Sequence, residues 1–365
     1  MEFALSEDQV ALQESVRAFL EGSAPLDKVR LAADGDAAVR DEIADGLAEL
    51  GVPLTLIPEA HGGLGLSLLD AALVQEMLAR YVAPAPFTAP AAMAVVGLAT
   101  AGSAEQQAAW LQRIAAGDAR FAVAVSERTG ARENAAVHAR DGELSGKAMF
   151  VLDAGGATHV LAAAGDGRLH VVAAGAPGVA IQSLPTIDRT RDVAEVVFDG
   201  AAAEALGEGD AAVVDRVVRV GRVLLAADTL GAAQRMLDDS VAYAKERKQF
   251  NRVIGSFQAV KHMCAEMAAE IEPARALVWH AAHAMESDPA EGPLLADLAK
   301  AHLAEVGTFV ARTATEVHGG MGFTDLLGLH YWFKRIGLNR QLLGSPERVR
   351  EDAARLQGWV GQHGA

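Results

Sequence analysis

Residues Tyr243-Ala-Lys-Glu-Arg-Lys-Gln-Phe-Asn-Arg-Val-Ile-Gly-Ser-Phe-Gln258 decide the fold of this chain. The stretch ends a long apolar-rich helical run, about 211–247, and turns through Phe250 and Ser256 into a second run starting near 257. Lys245, Arg247 and Lys248 crowd the end of the first helix, where cations complement the negative end of the dipole. The same charges form a cationic corner able to grip a pyrophosphate, with Arg247 as a planar fork. Further helical runs cover about 257–286 and 294–317, the last stopped by the glycine cluster at 319–322. Long helices with short links across 209–365 predict a four-helix bundle.

That glycine cluster sits in Glu316-Val-His-Gly-Gly-Met-Gly-Phe-Thr324. It reads as a helix stop, or as backbone that a ligand approaches closely because no Cβ intervenes. Upstream, region 118–208 changes period. Short β-type runs at 121–125, 149–152, 159–164, 169–173 and 195–198, with turns rich in Gly and Asp, predict a small antiparallel β domain. Region 1–117 is helical again. Ser6 and Gln9 form a capping box, Leu5 and Val10 are placed for a staple, and Leu12, Val16, Phe19 and Leu20 share a face. Breaks fall at 51–53 and 61–65, and Pro84, Pro86 and Pro90 mark an extended connection.

Composition agrees with a mainly helical chain of two or three domains: 365 residues, 51% hydrophobic, and only 5% aromatic. The net charge of −16 argues against nonspecific nucleic-acid binding, but leaves room for an anionic small ligand at a local cationic corner. The single cysteine, Cys264, excludes an intrachain disulfide and lies in an apolar helix, a poor setting for a nucleophile. No signal-peptide pattern opens the chain, and the least polar run, about 89–102, is too short to span a bilayer; a cytoplasmic protein is expected. There is no GxGxxG and no P-loop. His280 and His283 have helical i, i+3 spacing but no acidic or Cys partner beside them, so a metal site is not expected.

Taken together, the two bundle segments, in this order and about seventy residues apart, resemble the acyl-CoA dehydrogenase family, whose pattern is YxxxRxQFG…FQ followed by Q/H-GGxGF. The resemblance extends over the whole chain. It implies an N-terminal helical domain (1–117), a β-barrel-like middle domain (118–208) and a C-terminal four-helix bundle (209–365), with FAD as cofactor. YAKERKQF and HGGMGFT…LHYWFKR look like the bacterial subfamily acting on bulky acyl-CoAs, including steroid side chains. In that family FAD accepts a hydride from the β-carbon of an acyl-CoA while a carboxylate removes the α-proton. By resemblance, Arg247 and Gln249 contact the pyrophosphate region of a neighbour's FAD, Phe250 packs against it, and Glu316, Gly319 and Gly320 border it.

The chain also departs from the pattern. Where the subfamily reads GFTWEHDLHLYFKR, this chain has Leu326 at the base position. The alternative base position on the long helix falls on Gly221. Asp325 and Asp228 are the remaining candidates. The usual TEP-G-GSD wall of the FAD site is reduced to Ser126 and Glu127 in Val125-Ser-Glu-Arg-Thr-Gly130. Asn251 replaces a glycine, Glu316 replaces a glutamine, and Phe150 stands near the place of a flavin-stacking aromatic. The losses fall on the base and on this chain's own FAD wall, while the corner serving a neighbour survives. The resemblance therefore implies a heteromer of unlike dehydrogenase chains, with an electron-transfer flavoprotein as acceptor. The alternatives are a self-sufficient homo-oligomer using Asp228 or Asp325, and a non-redox acyl-CoA-binding or scaffold protein on the same fold.

Overall fold

The computed structural model describes residues 4–129, 135–207 and 209–360, with Glu127 by its backbone alone. The Glu127 side chain and Gly130, both part of the altered wall, lie outside the described residues. Helix α1 (Glu7–Ser23) starts at Ser6, whose hydroxyl accepts from the Gln9 amide while the Gln9 side chain accepts from the Ser6 amide. This is the capping box read in the sequence. Helices α2 (Leu26–Ala33) and α3 (Ala37–Glu49) follow. Then α4 (Leu68–Arg80) is buried along most of its length between α1 and the C-terminal helices.

The proline-marked link after α4 ends at Phe87. Thr88–Met93 form a π-helical turn that runs into α5 (Ala94–Ala101), so Pro90 lies in a helix and not in an extended connection. Its place in the first turn explains the difference, since a missing N–H there leaves no bond unmade. Helix α6 (Ala104–Ala115) leads to the middle domain.

The middle domain holds β1 (Phe121–Ala124), the one-turn helix α7 (Ser126–Thr129), β2 (Val137–Arg140), β3 (Glu143–Leu152), β4 (His159–Ala163), β5 (Leu169–Ala173), β6 (Val179–Ser183), β7 (Val193–Ala202) and β8 (Glu204–Ala205). The sheet order is β6-β7-β3-β1-β4-β5-β8, with β2 paired to β3. Strands β1 and β4 are parallel, Phe121 opposite His159 and Ala124 opposite Ala162. The sheet is therefore mixed, and the purely antiparallel expectation is corrected. The physical reason lies in the β2–β3 hairpin, which intervenes and returns antiparallel beside β1; the chain then enters the other side of β1 in parallel. β1 is buried on both faces. Phe121 and Val123 pack toward the helices while Ala122 and Ala124 pack inside the curled sheet, as the two-residue period of a strand requires.

The C-terminal part is built on α8 (Ala211–Glu246), capped by Asp210, whose carboxylate accepts from the Ala212 and Val213 amides. A short hairpin, β9 (Lys248–Gln249) and β10 (Arg252–Val253), links it to α9 (Gln258–Ser287), and α10 (Gly292–His318) runs back along both. Helices α11 (Leu329–Gln341) and α12 (Pro346–Leu356) close the unit. Where α4 crosses α8, a Cβ on Gly231 would run into the Glu76 carbonyl, so this glycine sets how near the two helices lie. Among the described residues no helix is long and apolar enough to cross a membrane.

Candidate functional site

The cationic corner is a tight hairpin. The Arg247 amide donates to the Tyr243 carbonyl at 2.9 Å, and the Ile254 amide donates to the Arg247 carbonyl at 2.8 Å. Lys248 pairs with Val253 and Gln249 with Arg252. The two turn residues, Phe250 (φ 51°) and Asn251 (φ 60°), are both left-handed, the geometry that suits the twist of a two-residue hairpin. Asparagine tolerates this conformation, which accounts for Asn251 where the family has glycine. Phe250 accepts it at a cost of roughly 1–2 kcal/mol and remains 86% exposed. Its ring meets Phe257 edge-on at 6.1 Å, and the Arg252 guanidinium lies 3.9 Å over Phe257. Lys245, Arg247, Lys248 and Gln249 are exposed, and none of the cations Lys245, Arg247, Lys248 and Arg252 has an ion-pair partner among the described residues. On an acidic chain this is a local excess of positive charge.

The glycine segment is brought to the same place. The Tyr243 ring stacks on His318 with centroids 4.6 Å apart, joining the end of α8 to the end of α10. His318 is itself fixed by Nδ1 at 2.8 Å from the Ala314 carbonyl. Gly319 follows at φ 58°, ψ −139°. Nothing lies within 4 Å of where a Cβ would stand on Gly319 or Gly320, and Glu316 is exposed beside them. The surface there is open to close approach by another molecule.

A separate cleft of about 620 Å³ lies between the sheet and the α11–α12 turn, within the range usual for small-molecule sites. Val125, Met149 and Phe150 line one side, and Leu338, Leu342 and Leu343 the other. Phe150 (φ 53°) sits at an irregularity of β3 between Ala148 and Val151, which re-aims the ring into the cleft. Ser126 lines the cleft but does not serve it. Its Oγ donates to the Met149 carbonyl at 2.7 Å and accepts from the Met149 amide at 2.6 Å, so both functions clamp β3 to α7. Among the described residues no lining side chain is acidic, and Arg348 is the one charged residue.

The floor of this cleft was not legible beforehand. Leu343 adopts φ 57°, and its carbonyl accepts from Arg222 Nε at 2.9 Å. The Gly344 carbonyl is 3.4 Å from Lys300 Nζ. Burial, helped by Arg222 and Arg340, pushes the Lys300 amine down to about 7. Gly221 lies directly behind: a Cβ there would run into Leu343 Cδ1 and come within 2.7 Å of Met93 Sδ. Thus Gly221 and Leu343 stand back to back, and neither carries a proton. The local signal was Leu342-Leu343-Gly344-Ser345-Pro346, an apolar pair ahead of a Ser cap and a Pro at a helix start.

A second cleft of about 590 Å³ adjoins the first through Arg348. Arg128, Arg219, Arg222, Arg348 and Arg355 line it, with Asp215 and Asp352.

The acids named from sequence stand elsewhere. Asp228 is fully buried where the three parts of the chain meet. It accepts from Gln75 Nε2 at 2.6 Å, Asn339 Nδ2 at 2.7 Å and Arg191 Nη2 at 2.8 Å, with Arg335 at 3.7 Å. A carboxylate so engaged is a structural ion pair, and it lines neither cleft. Asp325 is exposed, 3.5 Å from Arg30 and from His330. Leu326 is 72% exposed, with its carbonyl held by Arg30 at 3.1 Å. Neither lines the Phe150 cleft, because the segment after Thr324 turns outward toward α2 before α11 begins. Among the described residues no cluster of three metal-ligating side chains occurs. Burial pushes the Cys264 thiol up, the wrong direction for a nucleophile.

FAD, the cofactor this fold implies, can be tested against both places. The corner fits a contributed contact: Arg247 and Gln249 are free to meet phosphate and Phe250 to cover a ring. Among the described residues the Phe150 cleft does not make a complete cradle, since Ser126 is engaged by Met149 and only Arg348 offers charge.

Comparison with known proteins gives the same frame. Residues 6–118 match the acyl-CoA dehydrogenase N-terminal domain, and residues 207–357 match the acyl-CoA dehydrogenase C-terminal domain. The chain is 32% identical to the acyl-CoA dehydrogenase IpdE2 of Mycolicibacterium smegmatis over 98% of this chain and 100% of the relative. It is similar in structure to the Tcur3481-Tcur3483 steroid ACAD (30% identity, TM-score 0.86, 96% of this chain and 98% of that one). It is also similar to the ChsE4-ChsE5 complex of Mycobacterium tuberculosis (26% identity, TM-score 0.90, 99% and 100% covered). With both terminal domains matched and the fold shared along its whole length, the chain belongs to the acyl-CoA dehydrogenases, the FAD-dependent oxidoreductases that act on acyl-CoA.

Proposed function

We propose that this chain is the base-less half of a cytoplasmic, heteromeric acyl-CoA dehydrogenase, completing the FAD site of an unlike subunit. The carrying observation is a contrast within one chain. Among the described residues the cleft at Phe150 offers no carboxylate and an engaged Ser126, while the corner at Arg247 is exposed, cationic and without an ion-pair partner. One of the similar structures is the ChsE4-ChsE5 complex, and another, the Tcur3481-Tcur3483 steroid ACAD, also carries a paired name. This supports an α,β-desaturation of a bulky, steroid-like acyl-CoA and an assembly of two unlike pairs with one FAD per pair.

Bound FAD would supply the hydride acceptor. The work of this chain's residues is binding and positioning. Arg247 and Gln249 would hold pyrophosphate, the left-handed turn would present Phe250, and Glu316, Gly319 and Gly320 would border the same cofactor. The partner would supply the carboxylate that takes the α-proton, and an electron-transfer flavoprotein would receive the electrons. Self-sufficient catalysis by Asp228 or Asp325 has little support, since one is enclosed by two arginines and the other lies outside the cleft. The test is co-expression with the unlike dehydrogenase chain. Arg247→Ala in this chain is expected to lower FAD per complex about tenfold at limiting flavin, the loss of a charged bidentate contact. Unchanged flavin content would remove the corner from the account.

A further inference from the structure

The middle sheet ends on an unguarded edge. Strand β6 (Val179–Ser183) is the last in the sheet order and, among the described residues, has β7 on one side and no strand on the other. The Asp199 amide donates to the Gly178 carbonyl and the Leu184 amide to the Val193 carbonyl, both at 2.8 Å. Antiparallel bonding alternates, so Ala180 and Gln182 also bond toward β7, while Val179, Ile181 and Ser183 turn their amides and carbonyls to the free edge. The Val179 amide is taken by the Ala176 carbonyl at 3.1 Å. Pro177 and Pro185 hold the next positions in that alternation and have no N–H to offer, so the open ladder is confined to this strand. Natural edge strands are guarded by charge, by a proline within the strand or by a bulge. Strand β6 has none of these. Across residues 173–187 no residue is charged and none is buried, although the chain carries −16. Ile181 is 37% and Ile187 59% exposed. A groove of about 450 Å³ lies beside the edge, walled by Ala154, Gly155, Gly156 and Gly175, and the Ile181 and Ser183 side chains also line it.

We infer that β6 pairs with the β6 of a second copy of this chain, antiparallel about a two-fold axis at Ile181. The free backbone groups fit that arrangement. With Ile181 on the axis, the two Ile181 residues exchange both bonds, and each Ser183 amide reaches the Val179 carbonyl opposite. The engaged Val179 amide falls at the end of the ladder, where its loss matters least. On the groove side of the joined sheet Ile181 meets Ile181 and Val179 meets Ser183, cross-strand pairs without charge. Two chains of −16 repel each other, and residues 173–187 are where they meet without bringing like charges together. A strand paired with its own copy is isologous and closes after two chains, so the edge is covered without building a fibre. The contact is small beside a permanent interface, so the dimer is concentration-dependent. It uses the middle domain alone and stands independently of the flavin corner.

Cysteine trapping in the full chain tests this, in a Cys264→Ser background so that no other thiol competes. Ile181→Cys should give a covalent dimer under mild oxidation, because opposed residues of a hydrogen-bonded pair stand about 5.5 Å apart between Cα atoms, within reach of a disulfide. Gln182→Cys should give roughly a tenth as much, because in this register the two copies of residue 182 lie about 8 Å apart, beyond that reach. With the native cysteine in place, Ile181→Lys should halve the mass read by light scattering at high protein concentration. Its circular dichroism should match the wild type, since the side chain is exposed. Equal trapping at both positions, trapping at neither, or a mass that Ile181→Lys does not lower overturns the inference. If Ile181→Lys instead releases the unlike dehydrogenase subunit from a co-expressed complex while the full chain alone keeps its mass, the edge belongs to that partner and the inference is likewise overturned.

Discussion

The Tyr243 ring lies stacked on the His318 imidazole, centroids 4.6 Å apart and planes 29° from parallel. The contact lies where α8 and α10, packed along each other, bring the cationic hairpin and the glycine segment, about seventy residues apart in sequence, onto one surface. His318→Ala should cost about 1 kcal/mol from the lost ring pair, and it should loosen the corner. The expected outcome is a melting temperature lowered by a few degrees together with weaker FAD retention in the complex. Weakened stability with full flavin retention would mean that the stack serves the fold alone.

The hairpin turn gives a sharper test of local geometry. Asn251 sits at φ 60°, a conformation glycine adopts freely and β-branched residues resist. Asn251→Gly should leave flavin affinity and stability nearly unchanged. Asn251→Val should cost roughly 1–2 kcal/mol, felt as faster amide exchange in residues 248–253 and reduced flavin binding. Equal behaviour of the two variants would contradict the role given to the turn.

Much of the frame was visible in the sequence because it rests on short-range rules. The Ser6–Gln9 box, the long α8 and the glycine stop after His318 each follow from a few neighbouring residues. The parallel pairing of β1 with β4 was not visible, since it depends on how an intervening hairpin packs. The same limit hid the cleft. Counting along the chain from the glycines reaches Leu326, whereas the residue at the cleft floor is Leu343, positioned by Arg222 and Gly221 from a distant helix. Likewise Ser126 kept its place in the motif, but its hydroxyl turned to Met149, a partner only the fold supplies.

Asp228 separates a catalytic acid from a structural one. Its removal leaves Arg191 and Arg335 buried without their shared partner. Asp228→Ala should therefore destabilise by about 3–5 kcal/mol, and activity of the complex should fall only in step with the folded fraction. A stable Asp228→Ala protein with abolished turnover would restore Asp228 as a base.

Lys300 predicts a pH dependence. Burial holds its folded pKa at about 7, against an ordinary value of 10.5. Between these values the unfolded chain binds the proton and the folded chain does not, so this residue's contribution makes stability rise with pH from about 7 toward 10 and is flat below. The facing charges are Arg222 on α8, Arg340 on α11 and Asp297 one turn away on α10. Lys300→Met should remove that rise and stabilise the protein at pH 7 and below by an amount on the order of a few kcal/mol. Parallel stability curves for wild type and variant across this range would show that the amine is not titrating there.

The central claim is that this chain completes a flavin site it does not itself possess. The direct measurement is flavin absorbance per protomer, for the full chain purified alone and for the complex with its unlike dehydrogenase partner. The account predicts a nearly colourless single chain and a yellow complex with one FAD for every two protomers. A single chain that carries stoichiometric FAD and desaturates an acyl-CoA unaided would contradict it.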